Sequence, residues 1–194
     1  MKTHSRVYDS YAQARRVVSD LEAAGVPAAN ISMIANKYVS EKYADVDDES
    51  AAASGAGIGA ALGGGAGLLA GLGLLAIPGL GPVVAAGWLA STAVGAIAGS
   101  ATGGIIGALV DAGEPEERAH VYSEAVRRGG TLVTVRDEDT RADAVAAIVD
   151  RHGPIDPQVR RDEYSSTGWK TFDPKAQPYK PSQTEIERIR RDYT

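Results

Sequence analysis

Residues 51–110 contain no Asp, Glu, Lys, Arg or His, and within them small residues recur at every fourth position. One series is Gly55, Gly59, Gly63, Gly67 and Gly71, and a second is Gly87, Ser91, Gly95, Gly99, Gly103 and Gly107. Because residues four apart lie nearly above one another on a helix, each series predicts a smooth groove that lets another helix approach closely. The pattern indicates two glycine-zipper helices, with these positions as the helix-packing residues.

The sequence Pro78-Gly79-Leu80-Gly81-Pro82 lies between the two series and is typical of a turn. It predicts that the two helices fold back on each other as a long Gly/Ala-rich antiparallel hairpin over residues 51–112. Glycine costs roughly 1 kcal/mol relative to alanine inside a helix, so isolated helices of this composition would be unstable in water. The hairpin therefore needs either close packing against other helices or an apolar solvent.

Two environments meet that need, and the sequence leaves both open. Each arm reaches the ~20 apolar residues that span a bilayer core. Trp88 stands near the turn, where it is either an interfacial ring or the filler of a packing gap. Against insertion, the arms are rich in Gly and Ala and both flanks are acidic, whereas cytoplasmic flanks usually carry Lys and Arg. The alternative is a soluble homo-oligomer whose hairpins bury one another.

The residues before the uncharged stretch predict a β-α-β unit. Arg6-Val7-Tyr8 is typical of a short strand, and Ser10-Tyr11-Ala12-Gln13 has the form of a capping box that opens a helix. Gly25 predicts a left-handed end to that helix. Residues 31–35 follow as a second strand.

The residues after the uncharged stretch predict a second α/β half. Pro115 and the carboxylates of Glu116 and Glu117 suit the first turn of a helix that ends at Gly129-Gly130. Residues 131–135 have the β-branched content of a strand. Asp139 or Thr140 is then expected to cap a last helix whose buried side carries Ala144, Val145, Ile148 and Val149.

Together these elements predict an α+β chain, with a ferredoxin-like (split β-α-β) domain interrupted by the helical hairpin and followed by an extended C-terminal tail. The expected divisions are a first half at 1–44, an acidic linker at 45–50, the hairpin at 51–112, a second half at 113–155 and the tail at 156–194. A fourth strand near residues 155–159 is left open.

The tail carries aromatic residues among Pro, Lys, Gln and Ser, which is unusual because disordered segments are poor in aromatics. Trp169, Phe172 and Tyr179 are candidate docking residues. They either fold back on the domain or bind a protein partner. A second capping box at Ser182-Gln183-Thr184-Glu185 predicts a short terminal helix.

Composition excludes several classes of function. A net charge of -5 and a pI near 5.2 give no basic face for nucleic acid. The absence of Cys removes disulfides and thiolate chemistry. His4, His120 and His152 are far apart in sequence, and no phosphate-binding loop, calcium loop or catalytic triad can be assembled. We therefore expect no catalytic, cofactor-binding or metal-binding residues, and a non-enzymatic protein.

The chain resembles the bacterial general-stress and heat-induced proteins of the YflT type over residues 6–152. The resemblance rests on Val7-Tyr8-Asp9-Ser10-Tyr11-Ala12-Gln13-Ala14, Leu21-Glu22-Ala23-Ala24-Gly25-Val26, Pro115-Glu116-Glu117-Arg118-Ala119, Tyr122, Arg127-Arg128-Gly129-Gly130 and Leu132-Val133. Members of that family often carry a glycine-rich apolar insert between the two halves. The resemblance implies a stress-associated function and supplies no catalytic residues.

The expected function is thus that of a stress-associated protein that binds copies of itself and membrane lipid through the hairpin. A soluble homo-oligomeric interaction protein and a small-ligand sensor are the alternatives. Because the N-terminus lacks the apolar segment of a secretory signal, we expect a cytoplasmic location, attached to or inserted in the inner membrane if the hairpin binds lipid.

Overall fold

The computed structural model describes residues 2–39, 72–77, 79–95, 104–137 and 141–176, together with residues 182 and 184. In these residues the chain forms an α+β domain with one five-stranded antiparallel sheet and six α-helices. The strands are β1 (Lys2–Tyr8), β2 (Ile31–Asn36), β3 (Gly73–Ile77), β4 (Gly81–Ala86) and β5 (Thr131–Asp137). The helices are α1 (Tyr11–Ala23), α2 (Trp88–Gly95), α3 (Ile105–Asp111), α4 (Glu116–Arg127), α5 (Ala142–Arg151) and α6 (Pro157–Ser166).

The strands lie in the order β1-β5-β2-β4-β3. Both β1 and β2 pair with β5 in antiparallel fashion, so they run parallel to each other on either side of it. Helix α1 connects them. β4 pairs with the free side of β2, and β3 pairs with β4 to form the far edge of the sheet.

The sheet is buried on both faces, because successive side chains of a strand point to opposite sides. The first face packs under α1 and α5, and its core includes Tyr8, Met33, Val133, Leu21 and Val149. The second face packs under α2, α3 and α4, and its core includes Val7, Ile34, Leu132, Leu89 and Tyr122. The domain therefore has three layers, with the sheet in the middle.

The predicted elements of the first half are confirmed. α1 starts after Ser10, whose backbone N–H donates to the Gln13 side chain at 3.2 Å, as in a capping box. Gly25 follows the helix with φ +80°, the left-handed conformation expected at its end. β1 and β2 cover the two predicted strands and extend them.

In the second half, α4 and β5 confirm the predicted helix and strand. The predicted last helix is α5, which begins at Ala142 with Arg141 in the capping position, and the predicted caps Asp139 and Thr140 lie outside the described residues. Val145 and Val149 are buried as predicted, whereas Ala144 is exposed. A fourth strand does not extend to residue 159, because α6 begins at Pro157. The Asp156 carboxylate caps this helix by accepting hydrogen bonds from the backbone N–H groups of Gln158 and Val159.

The predicted helical hairpin is wrong over residues 73–86. There the structure has the strands β3 and β4, joined by the Gly-Pro turn. Gly79 and Gly81 take positive φ angles within that turn. The strand conformation is favoured because Val83 and Val84 are β-branched and pair with Asn36 and Ala35 of β2. The turn was predicted correctly, but it connects two strands.

Gly87 does not lie on a helix face, contrary to the four-residue pattern. It sits between β4 and α2 with φ +91°. A Cβ atom at this position would lie 2.2 Å from the carbonyl oxygen of Ile31 and 2.7 Å from Cα of Ser32. Gly87 is therefore required because the chain reverses direction tightly against β2.

Part of the second predicted arm is helical, but it is interrupted. Ser91 and Gly95 lie in α2, Gly107 lies in α3, and the two helices pack against each other. Gly104 precedes α3 with φ +79°, so one continuous helix cannot pass through it. The remaining predicted packing positions, Gly55, Gly59, Gly63, Gly67, Gly71, Gly99 and Gly103, lie outside the described residues. Within the part that is described, no helix has the length and apolar character needed to cross a bilayer.

The variants Gly87→Ala and Gly25→Ala test the close approach of Gly87 to β2. Both positions have positive φ, which costs about 1–2 kcal/mol for alanine. Only at Gly87 does the new Cβ overlap backbone atoms, whereas Gly25 has open space around it. We expect Gly87→Ala to lower the free energy of unfolding in urea by about 1–3 kcal/mol more than Gly25→Ala does. Equal losses would contradict the structure of this turn.

Candidate functional site

The aromatic tail folds back on the domain, where polar and aromatic side chains converge. After α6 the chain turns at Gly168, and Phe172 is 3 % exposed within the core of the second face. A Cβ atom on Gly79 would lie 2.7 Å from the Phe172 ring and from Cα of Pro174. The glycine of the β3–β4 turn thus permits the tail to lie directly against it.

Beneath the tail, α4 holds a buried carboxylate. Glu124 is 1 % exposed and accepts two hydrogen bonds from Arg127, at 2.9 and 2.6 Å, and one from Arg128 at 2.6 Å. Burial by itself raises the pKa of Glu124, but the hydrogen bonds from the two guanidinium groups outweigh it and leave that pKa below its ordinary value. The carboxylate is therefore charged and fully paired at neutral pH.

Arg128 links this ion-pair cluster to the tail. Its guanidinium group lies over the ring of Tyr164 in α6, 4.3 Å from the centroid. Tyr164 in turn meets Trp169 in an edge-on arrangement with ring centroids 5.6 Å apart. The contacts form a chain from Glu124 through Arg128 and Tyr164 to Trp169, which fixes α6 and the tail on α4.

A surface cleft of about 250 Å³ lies where the tail crosses the start of α4. The His120 Nδ1 atom is 2.8 Å from the Thr171 hydroxyl, and Arg161 donates to Glu117 at 2.7 Å. The cleft is lined by Glu116, Glu117, His120, Arg161, Trp169, Lys170 and Thr171. The cleft contains both acidic and basic side chains, so it does not strongly favour a ligand of one charge.

The contact between Thr171 and His120 resembles a nucleophile and its base, but the third group of a triad is not in place. The nearest carboxylate is Glu116, which is 3.8 Å from Nε2 of His120 and 64 % exposed. An effective triad has a buried carboxylate in hydrogen-bond contact with the imidazole. In this geometry the pair joins the tail to α4.

A second cleft, of about 290 Å³, lies on the outer surface of α1. Asp20 on this surface contacts His152 at 2.8 Å and Arg151 at 2.8 Å, which joins α1 to the end of α5. The hydrogen bond from His152, followed by that from Arg151, lowers the pKa of Asp20. Both clefts lie near the lower end of the ~300–1,000 Å³ usual for ligand pockets. No group of acidic and histidine side chains suited to a metal ion occurs in the described residues.

The predicted docking residues Trp169 and Phe172 are brought together in the tail contact, and Tyr179 lies outside the described residues. His4, His120 and His152 lie at three separate places in the domain. The sequence interpretation missed the cluster of Glu124, Arg127 and Arg128. The signal that could have revealed this cluster is the position of Glu124 among the buried residues of α4.

Comparison of the chain with protein-family models, with curated proteins and with solved structures finds no match.

The variant Phe172→Ala tests the tail contact. Removing the buried ring costs ~3–5 kcal/mol where a core cannot rearrange, but a terminal segment can detach and so limit the loss. We expect a decrease of about 1–3 kcal/mol in the free energy of unfolding and faster proteolysis near Thr171. Val159→Ala is the control, since Val159 is 56 % exposed on the adjacent α6 and should change stability by less than about 0.5 kcal/mol. Unchanged stability after deletion of residues 167–194 would contradict the docked tail.

The variant Glu124→Gln tests the buried ion-pair cluster. Because the folded-state pKa of Glu124 is lowered, its stabilising effect is present above the unfolded pKa near 4.5 and is lost as the pH falls through the folded value. We expect Glu124→Gln to lower the free energy of unfolding by about 1.5–3 kcal/mol at pH 7. The difference from the wild type should shrink below pH 4.5. Glu117→Gln, at an exposed ion pair, is the matched control and should change little.

Proposed function

We propose that this chain is a non-enzymatic, stress-associated protein that binds copies of itself through its glycine-rich segment. The main support is the four-residue spacing of small residues from Gly55 to Gly71 and from Ser91 to Gly107. In the described part of that segment, α2 and α3 pack on each other and on the sheet through Ala90, Ala93 and Ala108. These alanines lie outside the four-residue series, whose members Ser91 and Gly107 are exposed and half-buried, respectively, in the domain.

Self-association is expected in those parts of the glycine-rich segment that do not belong to the sheet or to α2 and α3. Strands β3 and β4 make the middle of the uncharged segment an integral part of the sheet. The glycine-rich stretches 51–71 and 96–103 join this rigid part at Leu72, Gly95 and Gly104. We therefore propose that these two stretches, rather than a single continuous hairpin, bring copies together.

A second candidate function is membrane association through residues 51–71. This stretch has no charged residue, and it reaches the ~20 residues that span a bilayer core. The bulk of the second arm is committed to the core of the domain, which favours self-association as the principal function. In either case the α+β domain is proposed to be cytoplasmic.

We also infer that the core of the domain has a ferredoxin-like (split β-α-β) topology. Support comes from the parallel arrangement of β1 and β2 around β5, with α1 as their connection. Ile155 lies where a fourth strand would pair with β1, and its N–H donates to the Val7 carbonyl at 2.8 Å. The inferred topology agrees with the resemblance to the heat-induced proteins, from which the stress-associated role is proposed.

A role as a small-ligand sensor has less support. The cleft at His120 and Trp169 offers aromatic and charged groups, but its volume is small, and Arg161 and Glu117 in it are paired with each other. A thermal shift on addition of common nucleotides would favour this role over self-association alone.

The double variant Gly63→Leu with Gly99→Leu tests self-association. Leucine at both positions fills the predicted grooves and should prevent the close approach of helices. We expect the mass measured by light scattering to fall to that of the monomer. Recovery of the wild type in the membrane fraction, with release only by detergent, would instead support the second candidate function.

The matched control is Gly65→Leu with Ala101→Leu. These changes add leucine to the same two stretches but lie outside the four-residue series, on the opposite side of a helix. The control should keep the wild-type mass. A monomeric wild type, or equal loss of assembly in both double variants, would contradict a role for the glycine series.

A further inference from the structure

The two edges of the sheet are protected very differently. β1 carries Lys2, His4 and Arg6, and its Val7 carbonyl already accepts the hydrogen bond from Ile155. β3 has the sequence Gly-Leu-Leu-Ala-Ile, without charge or proline. In the described part of the chain, no strand pairs with its outer side. Proteins usually guard such an edge with charges, prolines or bulges, because it can pair with another chain.

Pro82 determines which backbone groups of β3 point outward. Pro82 lies opposite Ala76, and proline has no N–H with which to exchange hydrogen bonds across that pair. In an antiparallel ladder, hydrogen-bonded and non-hydrogen-bonded pairs alternate. Leu75 therefore directs its backbone groups toward Val83, and Leu74 and Ala76 direct theirs away from the sheet.

The outward groups of β3 are complementary to themselves. With a two-fold axis at Leu75, the N–H and C=O of Leu74 face those of Ala76 of the partner subunit, and the reverse pair forms by symmetry. Side-chain access agrees, because Ala76 is exposed and Leu75 is only partly buried. No side chain of β3 carries a charge that would oppose its copy.

We propose that β3 pairs antiparallel with β3 of a second copy, with Leu75 on the two-fold axis, and so joins the sheets of two protomers. The contact uses the same strand in both copies and is therefore isologous, so it closes as a dimer. This inference deepens the proposed self-association and names its partner and one of its contact elements.

Cysteine cross-linking tests the proposed register, because the chain has no cysteine of its own. In a non-hydrogen-bonded pair the Cα atoms are about 4.5 Å apart, within the range for a disulfide. Leu75→Cys should therefore form a covalent dimer under mild oxidation. Ala76→Cys is the control, since its two copies would lie more than about 7 Å apart across the axis, although the residue is more exposed than Leu75. Cross-linking of Ala76→Cys as fast as Leu75→Cys, or of neither, would overturn the proposal.

Ala76→Pro tests the hydrogen bonds without relying on oxidation. It removes an outward N–H in each copy and leaves the bonds between β3 and β4 intact, so the circular dichroism spectrum should be unchanged. We expect the dissociation constant of the dimer, measured by analytical ultracentrifugation, to rise at least about tenfold. An unchanged constant in a folded variant would overturn the β3 pairing.

The two sets of variants separate this inference from the glycine-series proposal. Loss of assembly only in Gly63→Leu with Gly99→Leu would leave the proposed function standing and reject the β3 contact. Loss only in Ala76→Pro would support the β3 contact and reject the glycine series. A monomeric wild type at all concentrations would reject both.

Discussion

The pairing of β4 with β2 is the contact on which the rest of the domain depends. It places Val83 to Ala86 beside Met33 to Asn36 and carries β3 with it to the edge of the sheet. Gly87 then allows the chain to turn against Ile31 and Ser32. The turn sends α2 back over the second face, where α3 and α4 complete the core. Without this pairing, the apolar side of the sheet under α2 would have no cover.

The elements that could be predicted from the sequence are those with strong local signals. The capping box at Ser10 and the glycine at position 25 define α1, and the β-branched run of β5 defines a strand. The four-residue spacing of glycines in the uncharged segment was misleading as a signal for a helix, because the spacing takes no account of the backbone angles of those glycines. Gly87 continues the four-residue series but has φ +91°. Short apolar runs such as β3 are also compatible with a buried helix when periodicity alone is considered.

The tail contact was predictable in part, because aromatic residues in a polar segment need a surface to cover them. The sequence did not show which surface. Glu124 and the arginines three and four positions later have the spacing of an ordinary exposed ion pair, and their burial depends on α6 and Tyr164 lying across α4. Such contacts arise from residues distant in the chain. They can be found only after the fold is known.

The tail and the β3 edge, which is proposed to pair with a second copy, meet at the same turn. Phe172 and Pro174 lie against Gly79, just beyond Ile77 at the end of β3. In an antiparallel pair centred on Leu75, that end faces Gly73 of the partner subunit. The partner's residues 51–71 join β3 immediately before this point. In the proposed dimer, the tail of each protomer would therefore lie beside the place where the glycine-rich stretch 51–71 of the other ends, so loss of the tail should affect assembly as well as stability.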